Sequence, residues 1–598
     1  MKFHAFLTAG AAALSLYGCA SAPRAPVITA DALLAQTYAN PASEPFDVTA
    51  FFDAMPQWVE TSYADATFNP ASGAMEVSDL VLSLRGVPEY RLHIDRAQMW
   101  DADADALARV MSGAAPDSMT AIIDRVAFEG VRSEGLQWEN GAQSLSLTID
   151  KFVLDGLDAQ SFILAPLQDV DSETAPAISL VRTLAAVANA YALDGAAFAN
   201  LNLRMNESQG SAVVFYADQV FSRGYNRGRT AYERIDGVKV STRTLTEGVL
   251  TNVAERIEES LSQNPEEKIL QPWMRAEVNN ALSNPVAFIA QNAGALTTDR
   301  EIDSIEITNA DVAGALSWLA KWQAPPITET NILDFGEISI IGSRESWNGA
   351  ELYSVARSEI EAFDFYWLIP SNYVQTDTGI TLSLLDAIDM SVDDFGFGGN
   401  ADTGSQEILQ IRDAITRLGL ETIRGDSVTR WNWDGGTGAL NTGASLSLDA
   451  LMETTSGLEA EGPSLADWNK LVSDGASGDE IAKAIFLKQM NVSVSDEQLL
   501  DRAFAYAATQ ISPDASGADL RQSAPAMIRL AATQAAQFNP RIPGYVDALT
   551  AFVGTGGSLR VEMRPDAPVS LTEIQKIASS APQTLPDVLG LSVTHTDQ

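Results

Sequence analysis

Along most of the chain, apolar residues alternate with polar ones in short runs bounded by Gly, Asn and Asp, and alanine-rich stretches of helical period separate the runs. Leu80, Leu82 and Leu84 alternate in this way, as do Leu145, Leu147 and Ile149, and Leu446 and Leu448. Such alternation sets one face of a strand on a core and the other in water. Residues 68–75 align without gaps to residues 433–440. Each segment holds an aromatic strand end (Phe68, Trp433), a four-residue turn, a glycine suited to positive φ (Gly73, Gly438) and a returning strand. A related pattern surrounds Thr378-Gly379-Ile380, and Trp138-Glu139-Asn140-Gly141 is a tighter turn. A second pattern is Ile-Asp-basic, at Ile94-Asp95-Arg96, Ile123-Asp124-Arg125 and Ile149-Asp150-Lys151, spaced by 29 and 26 residues. The last two run on to Gly130-Val131 and Gly156-Leu157 at matching offsets. Stacked hairpins of this length predict a long sheet in which each unit mainly touches its neighbours.

Helical period interrupts the sheet at residues 105–111, 177–193, 246–261, 266–281, 405–418 and 480–488. Toward the C-terminus, Ser495 and Gln498 form a capping-box pattern for a helix over residues 496–509. A second helix is predicted over 520–537 and a third over 545–553, after Pro540 and Pro543. A strand follows at 558–563, then a helix capped by Ser570 and Glu573, and a last strand at 589–593. The predicted fold class is α+β: a long, predominantly antiparallel repeated β-sheet of hairpins, amphipathic helical insertions and an α+β C-terminal unit.

The one cysteine, Cys19, changes the picture. Met1 and Lys2 precede an apolar run over residues 3–16, followed by Leu16-Tyr17-Gly18-Cys19. A charged start, an apolar core and a small residue before the cut form a secretion signal. The cysteine after them resembles the lipobox of bacterial lipoproteins, with Tyr17 departing from that family's usual small or branched residue. The resemblance implies acyl chains on Cys19, cleavage before it, and attachment to a membrane through those chains. Ala20 and Ser21 follow with no aspartate, which in such lipoproteins favours the outer membrane facing the periplasm. Pro23 and Pro26 suggest an extended tether. The divisions read from the sequence are 1–18 signal peptide, 19–45 acylated cysteine and tether, 46–245 β-rich with helices, 246–330 helical, 331–490 β-rich with helices, and 491–598 α+β.

Charge then narrows the function classes. With 79 acidic against 38 basic residues, the net charge of −41 argues against nucleic acid, which needs concentrated Lys and Arg. One island opposes this background. Residues 221–243 hold Arg223, Arg227, Arg229, Arg234, Lys239 and Arg243, with Tyr225 and Tyr232 between them and only Glu233 and Asp236 against them. Arg223, Arg227, Arg229 and Arg234 are the candidate anion site, since guanidinium forks suit phosphate or carboxylate. The same arginines would equally pair with acids on neighbouring strands. Beyond the signal the histidines are His93 and His595, so no zinc-protease spacing exists, and no cofactor is expected. No nucleophile elbow, Walker loop or dinucleotide fingerprint occurs. Asp101-Ala102-Asp103-Ala104-Asp105 starts like a calcium loop but has Ala106 and Ser112 where Gly and Glu belong, so it reads as a helix N-terminus. Asp393, Asp394, Asn400 and Asp402 form a second acidic loop.

The hairpin turns quoted above, scattered over residues 62–450, resemble those of large AsmA-like envelope proteins and of uncharacterised alphaproteobacterial lipoproteins. The resemblance implies a lipid-facing groove. The first expectation is a non-enzymatic periplasmic lipoprotein whose sheet contacts envelope lipid or a partner protein. A carboxylate-dependent cell-wall or glycan hydrolase and a purely structural scaffold stay open beside it.

Overall fold

The computed structural model describes residues 29–35, 38–40, 42–55, 59–84, 87–113, 118–134, 136–138, 143–161, 175–206, 212–245, 295–393, 404–473, 478–512, 514–532 and 539–597. The helices expected over 246–261 and 266–281 and the turn at Glu139-Asn140-Gly141 lie outside the described residues, as does Cys19. The chain divides into two compact units, Met1–Ala350 and Glu351–Gln598.

In the first unit, α1 (Ala30–Ala35) and α2 (Val48–Asp53) precede β1 (Val59–Ser62), β2 (Asp65–Asn69), β3 (Ala74–Leu84) and β4 (Val87–Trp100). Then come α3 (Ala104–Met111), β5 (Thr120–Glu134), β6 (Leu136–Trp138), β7 (Gln143–Ala159), α4 (Ala175–Ala188), β8 (Tyr191–Asn206), β9 (Ala212–Asn226), β10 (Arg229–Leu245), β11 (Ala295–Asp311), α5 (Ala313–Lys321) and β12 (Glu337–Trp347). Sequence neighbours pair antiparallel from β3 through β12, with β6 joined to β7, and β1 and β2 both on β3. Part of the stretch expected to be helical, residues 295–311, is thus strand β11. The helix expected over 177–193 stops at Ala188, because Tyr191 pairs with β7 and Ala192 and Leu193 with β9 instead.

The second unit holds β13 (Ala350–Tyr366), β14 (Ile369–Ser383), α6 (Leu384–Asp393), α7 (Gly404–Leu418), β15 (Thr422–Trp433), β16 (Ala439–Leu448) and β17 (Met452–Glu461). It continues with α8 (Leu465–Ser473), α9 (Gly478–Lys483), β18 (Phe486–Asp496), α10 (Leu499–Ile511), α11 (Gly517–Ala532), α12 (Ile542–Thr555), β19 (Gly557–Met563), β20 (Val569–Ser570), α13 (Leu571–Ser580), α14 (Leu585–Val588) and β21 (Ser592–Thr596). Its pairings too are antiparallel. Three expectations need correction here. Phe486 and Leu487, read as helix, pair with both β17 and β20, and Lys488 continues the same strand. Ser495 belongs to β18, and Asp496 rather than Ser495 accepts from the start of α10, at Leu500 N (2.9 Å). The last strand begins at Ser592, not at 589.

The two aligned turns share their main hydrogen bonds. Asn69 Oδ1 accepts from Ala71 N (3.0 Å) and Asp434 Oδ1 from Gly436 N (2.9 Å). The hydroxyls of Ser72 and Thr437 each accept from the amide two residues on (3.3 and 3.4 Å). Gly73 and Gly438 both have positive φ, 74° and 79°.

One arrangement orders the first unit's sheet. Asp79, Gly130, Asn200, Gly237 and Gly342 all have positive φ, between 50° and 66°. In the strand register they lie at one level, alternating with Asp95, Asp150, Asp218 and Asp303. The row therefore reads, strand by strand, Asp79, Asp95, Gly130, Asp150, Asn200, Asp218, Gly237, Asp303, Gly342. Six residues along each strand lies a second row: Asp101, Asp124, Gly156, Asp194, Gly224, Ala231, Asn309. Here Asp101, Gly156, Gly224 and Asn309 are the left-handed members. Strands β5 and β7 to β11 thus each carry one left-handed residue, and Asp101 follows directly on β4, placed in the two rows by turns.

A left-handed residue breaks the two-residue alternation of a strand, so apolar residues flanking the first row are three apart rather than two. Ile94 and Ala97, Phe128 and Val131, Ile149 and Phe152, and Phe198 and Leu201 join one core cluster. Ala217 and Val220, Ile235 and Val238, and Ile302 and Ile305 join another. Neighbouring strands slip at the same level, so register is kept across the row. A Cβ on Gly130 would sit 2.2 Å from Asp95 Oδ2, and one on Gly237 1.9 Å from Asp218 Oδ2. Gly130→Ala should therefore lower stability by about 1–3 kcal/mol, from left-handed strain and the clash together. Gly349→Asn, at a left-handed turn position with open space around it, should change stability by only a few tenths of a kcal/mol. Urea unfolding of the two variants against wild type checks the difference.

Candidate functional site

Between the two rows the faces of the first unit's sheet differ sharply. On one face Val77, Ala97, Phe128, Phe152, Phe198, Val220, Ile235, Ile305 and Ile340 lie in register from β3 to β12. Phe152 stacks on Phe198 with ring centres 4.3 Å apart. Near β3 to β5, Phe51 and Phe52 of α2 and Leu107 and Val110 of α3 join this apolar layer. Asp103 Oδ1 caps α3 by accepting from Ala106 N (2.8 Å), so the acidic run at 101–105 begins a helix. Toward β12, Phe215, Val240, Ile305 and Ile340 remain half-buried.

The opposite face carries the N-terminal segment. Helix α1 lies across β7, β8 and β9. Leu33 and Leu34 pack there with Ala127, Val153, Ala197 and Phe221, and Leu33 lies over Gly195. The basic residues of two Ile-Asp-basic triplets hold the end of this helix. Arg125 Nη2 donates to the Leu33 carbonyl (2.9 Å) and Lys151 Nζ to the Leu34 carbonyl (2.6 Å), the last carbonyls a helix leaves unmet. Gln219 donates to Asp31. Arg125 is 2% exposed, pairs with Asp155 (3.0 Å), and lies over the rings of Tyr38 (5.2 Å) and Trp100 (5.9 Å). Asn40 and Ser43 donate to the two oxygens of Asp101 (2.6 and 2.8 Å).

Acids crowd this clasp. Burial, then the neighbouring Asp101, pushes the Asp124 carboxyl above the usual aspartate range. Burial also raises Asp155, against the pull of Arg125, and raises Asp158, with Asp194 adding to it. Nothing in the sequence pattern distinguished Arg125 from Arg96, whose guanidinium is exposed and pairs with Glu76 and Glu129.

The basic island spans β9 and β10. Arg223 lies in β9, opposite Tyr232. Arg227 occupies the turn with φ 56° and donates to the Asn189 carbonyl (3.3 Å). Arg229 pairs with Asp311 (2.9 Å), and Arg234 with Asp236 (2.8 Å) and Glu306 (2.6 Å), which hold its guanidinium charged. Lys239 pairs with Glu301 (3.2 Å). Arg229, Arg234 and Lys239 thus face carboxylates of the same sheet. Such half-exposed pairs are worth roughly 0–1 kcal/mol each.

His93 sits within β4 and His595 in β21, where its Nε2 lies 2.7 Å from the Gly556 carbonyl oxygen. Among the described residues no group of three or more His, Cys, Asp or Glu could hold a metal, and no helix is long and apolar enough to cross a membrane. Asp394, Asn400 and Asp402 lie outside the described residues. A protein-family model described as "Uncharacterized protein" matches residues 436–596. No curated protein matches the chain.

Two outcomes follow for the clasp. Arg125→Ala leaves Asp155 without its cation and frees the Leu33 carbonyl, so stability should fall by on the order of 3 kcal/mol, and limited proteolysis should cut within residues 29–38 before the sheet. For Asp124 the raised pKa means the folded state binds a proton more readily than the unfolded chain. Its contribution therefore grows as pH falls toward the raised value and is unfavourable at neutral pH. Asp124→Asn should raise the unfolding midpoint at pH 7 and lose that gain near pH 4.

Proposed function

We propose that this is a non-enzymatic lipoprotein of the bacterial cell envelope that contacts envelope lipid or a partner protein through the long sheet of its first unit. The observation that carries the reading is the apolar row in register from β3 to β12, still half-buried at Ile305 and Ile340. Val77, Ala97, Val220 and Ile235 of this row are already buried, and its half-buried members, Phe128, Phe152, Phe198, Ile305 and Ile340, are what a further apolar surface would cover. The clasp on α1 supports an anchored role, because it fixes the first described residues, within the stretch 19–45 read as tether, to the opposite face of the same sheet. The lipobox at Cys19 supplies the anchor, with the periplasmic leaflet of the outer membrane as its location. The AsmA-like turns favour lipid over protein as the contact.

Two measurements test this. Labelled palmitate should enter the wild-type protein and not Cys19→Ala; incorporation that survives the substitution removes the anchor. A chain of residues 20–598 should bind a fluorescent acyl-chain probe, and Ile305→Asp with Ile340→Asp should weaken binding by about tenfold or more. Failure to bind the probe leaves the structural-scaffold reading.

A further inference from the structure

In the second unit, residues 365–373 read Phe-Tyr-Trp-Leu-Ile-Pro-Ser-Asn-Tyr, a run without charge in a chain of net charge −41. The middle of this run is the tip of the β13–β14 hairpin, where Tyr366 pairs with Ile369 and Trp367 and Leu368 make the turn. Trp367 has φ 61°. Glycine or asparagine suits that position, and another L-residue there costs about 1–2 kcal/mol. The Trp367 ring is half-buried and Leu368 is 44% exposed, so a bulky ring is kept at this costly position beside an open apolar side chain.

Behind the tip the aromatic rings are braced. Phe363 packs on Phe365 and Tyr373 (5.0 and 5.3 Å), and Tyr366 meets Trp433 edge-on (6.0 Å, 84°). Trp431 Nε1 donates to the Pro370 carbonyl (3.0 Å). Gly435 lies so close that a Cβ there would be 2.2 Å from the Tyr366 ring.

We infer that this tip, Tyr366–Trp367–Leu368–Ile369, enters the headgroup level of a lipid bilayer. Trp and Tyr, apolar in body and polar at one end, suit that level. None of these four residues has a charge to desolvate on entry, and the exposed Asp434 of the adjoining β15–β16 turn is held by Gly436 and Thr437. A hairpin tip offers far less than the roughly 800 Å² per partner that a stable protein interface needs, whereas an interfacial contact takes only a few side chains. The inference rests on the second unit alone and does not depend on the acyl anchor or on the first unit's apolar face.

The test uses residues 20–598, which lack the only cysteine, and phosphatidylcholine vesicles. Wild type should float with the vesicles. Trp367→Gly combined with Leu368→Ser should partition about tenfold less or lower still, at a temperature below its measured unfolding midpoint. Leu368→Cys carrying an environment-sensitive dye should shift blue on vesicles, and Gly349→Cys with the same dye should not. No flotation of wild type, equal flotation of the double variant, or an unshifted dye at position 368 would each overturn the inference, an unshifted dye doing so even if the double variant fails to fold. Acyl-probe binding with no vesicle binding would reject the tip and leave the proposed function standing.

Discussion

A left-handed backbone in mid-strand is costly for most L-residues, by about 1–2 kcal/mol, and the first unit requires one in almost every strand at matched levels. Glycine, asparagine and aspartate fill those positions, the residue types that enter this region most readily. Aspartates face them from the adjoining strands, and at Gly130, Gly156, Gly237 and Gly342 the carboxylate occupies the space a side chain would need. The second unit has a local version: Gly379, φ 66°, donates its N–H to Asp426 (2.8 Å). Because adjacent strands slip together, the apolar residues on either side of a row stay on one face, and the sheet passes through the break without losing register.

What the two faces do follows from this. One keeps an apolar layer running from β3 to β12, covered at one end by α2 and α3. The other gathers small residues and two basic side chains beneath α1, so the first described segment is fastened rather than free. Further along the same face, Arg234 and Lys239 pair with Glu306 and Glu301 across β10 and β11. The acidic excess of the chain thus has a partly structural origin, since the rows themselves call for carboxylates.

The strands, the paired turns and the Ile-Asp-basic triplets were legible in the sequence; their meaning was not. Ile94-Asp95-Arg96 and Ile149-Asp150-Lys151 place their aspartates in the first row, and Ile123-Asp124-Arg125 places its own in the second. Spacings of 29 and 26 residues therefore record chain reversals, not repeats stacked in one direction. Gly130 and Gly156, which looked equivalent, lie in different rows for the same reason. Period-2 reading finds a strand but not a slip inside it, because Ile94 and Ala97 look out of phase until both flanks of the row are seen together. Helix ends were misread where a strand followed directly, at Tyr191 and Phe486, since apolar residues continue without a break into the strand. Arg125 and its clasp stayed hidden because burial of an arginine depends on what packs over it, here α1, Tyr38 and Trp100.

The account stands on the aspartate and the left-handed residue acting as one unit. A double-mutant cycle on Asp218 and Gly237 measures this most directly. Gly237→Ala alone should be strongly destabilising, and Asp218→Ala should relieve part of that loss by vacating the space the new methyl group needs. The predicted coupling is on the order of 1 kcal/mol or more, read from urea unfolding of the four proteins. Additivity within roughly 0.3–0.5 kcal/mol would mean that the two positions are independent, and that the rows are only a coincidence of strand register.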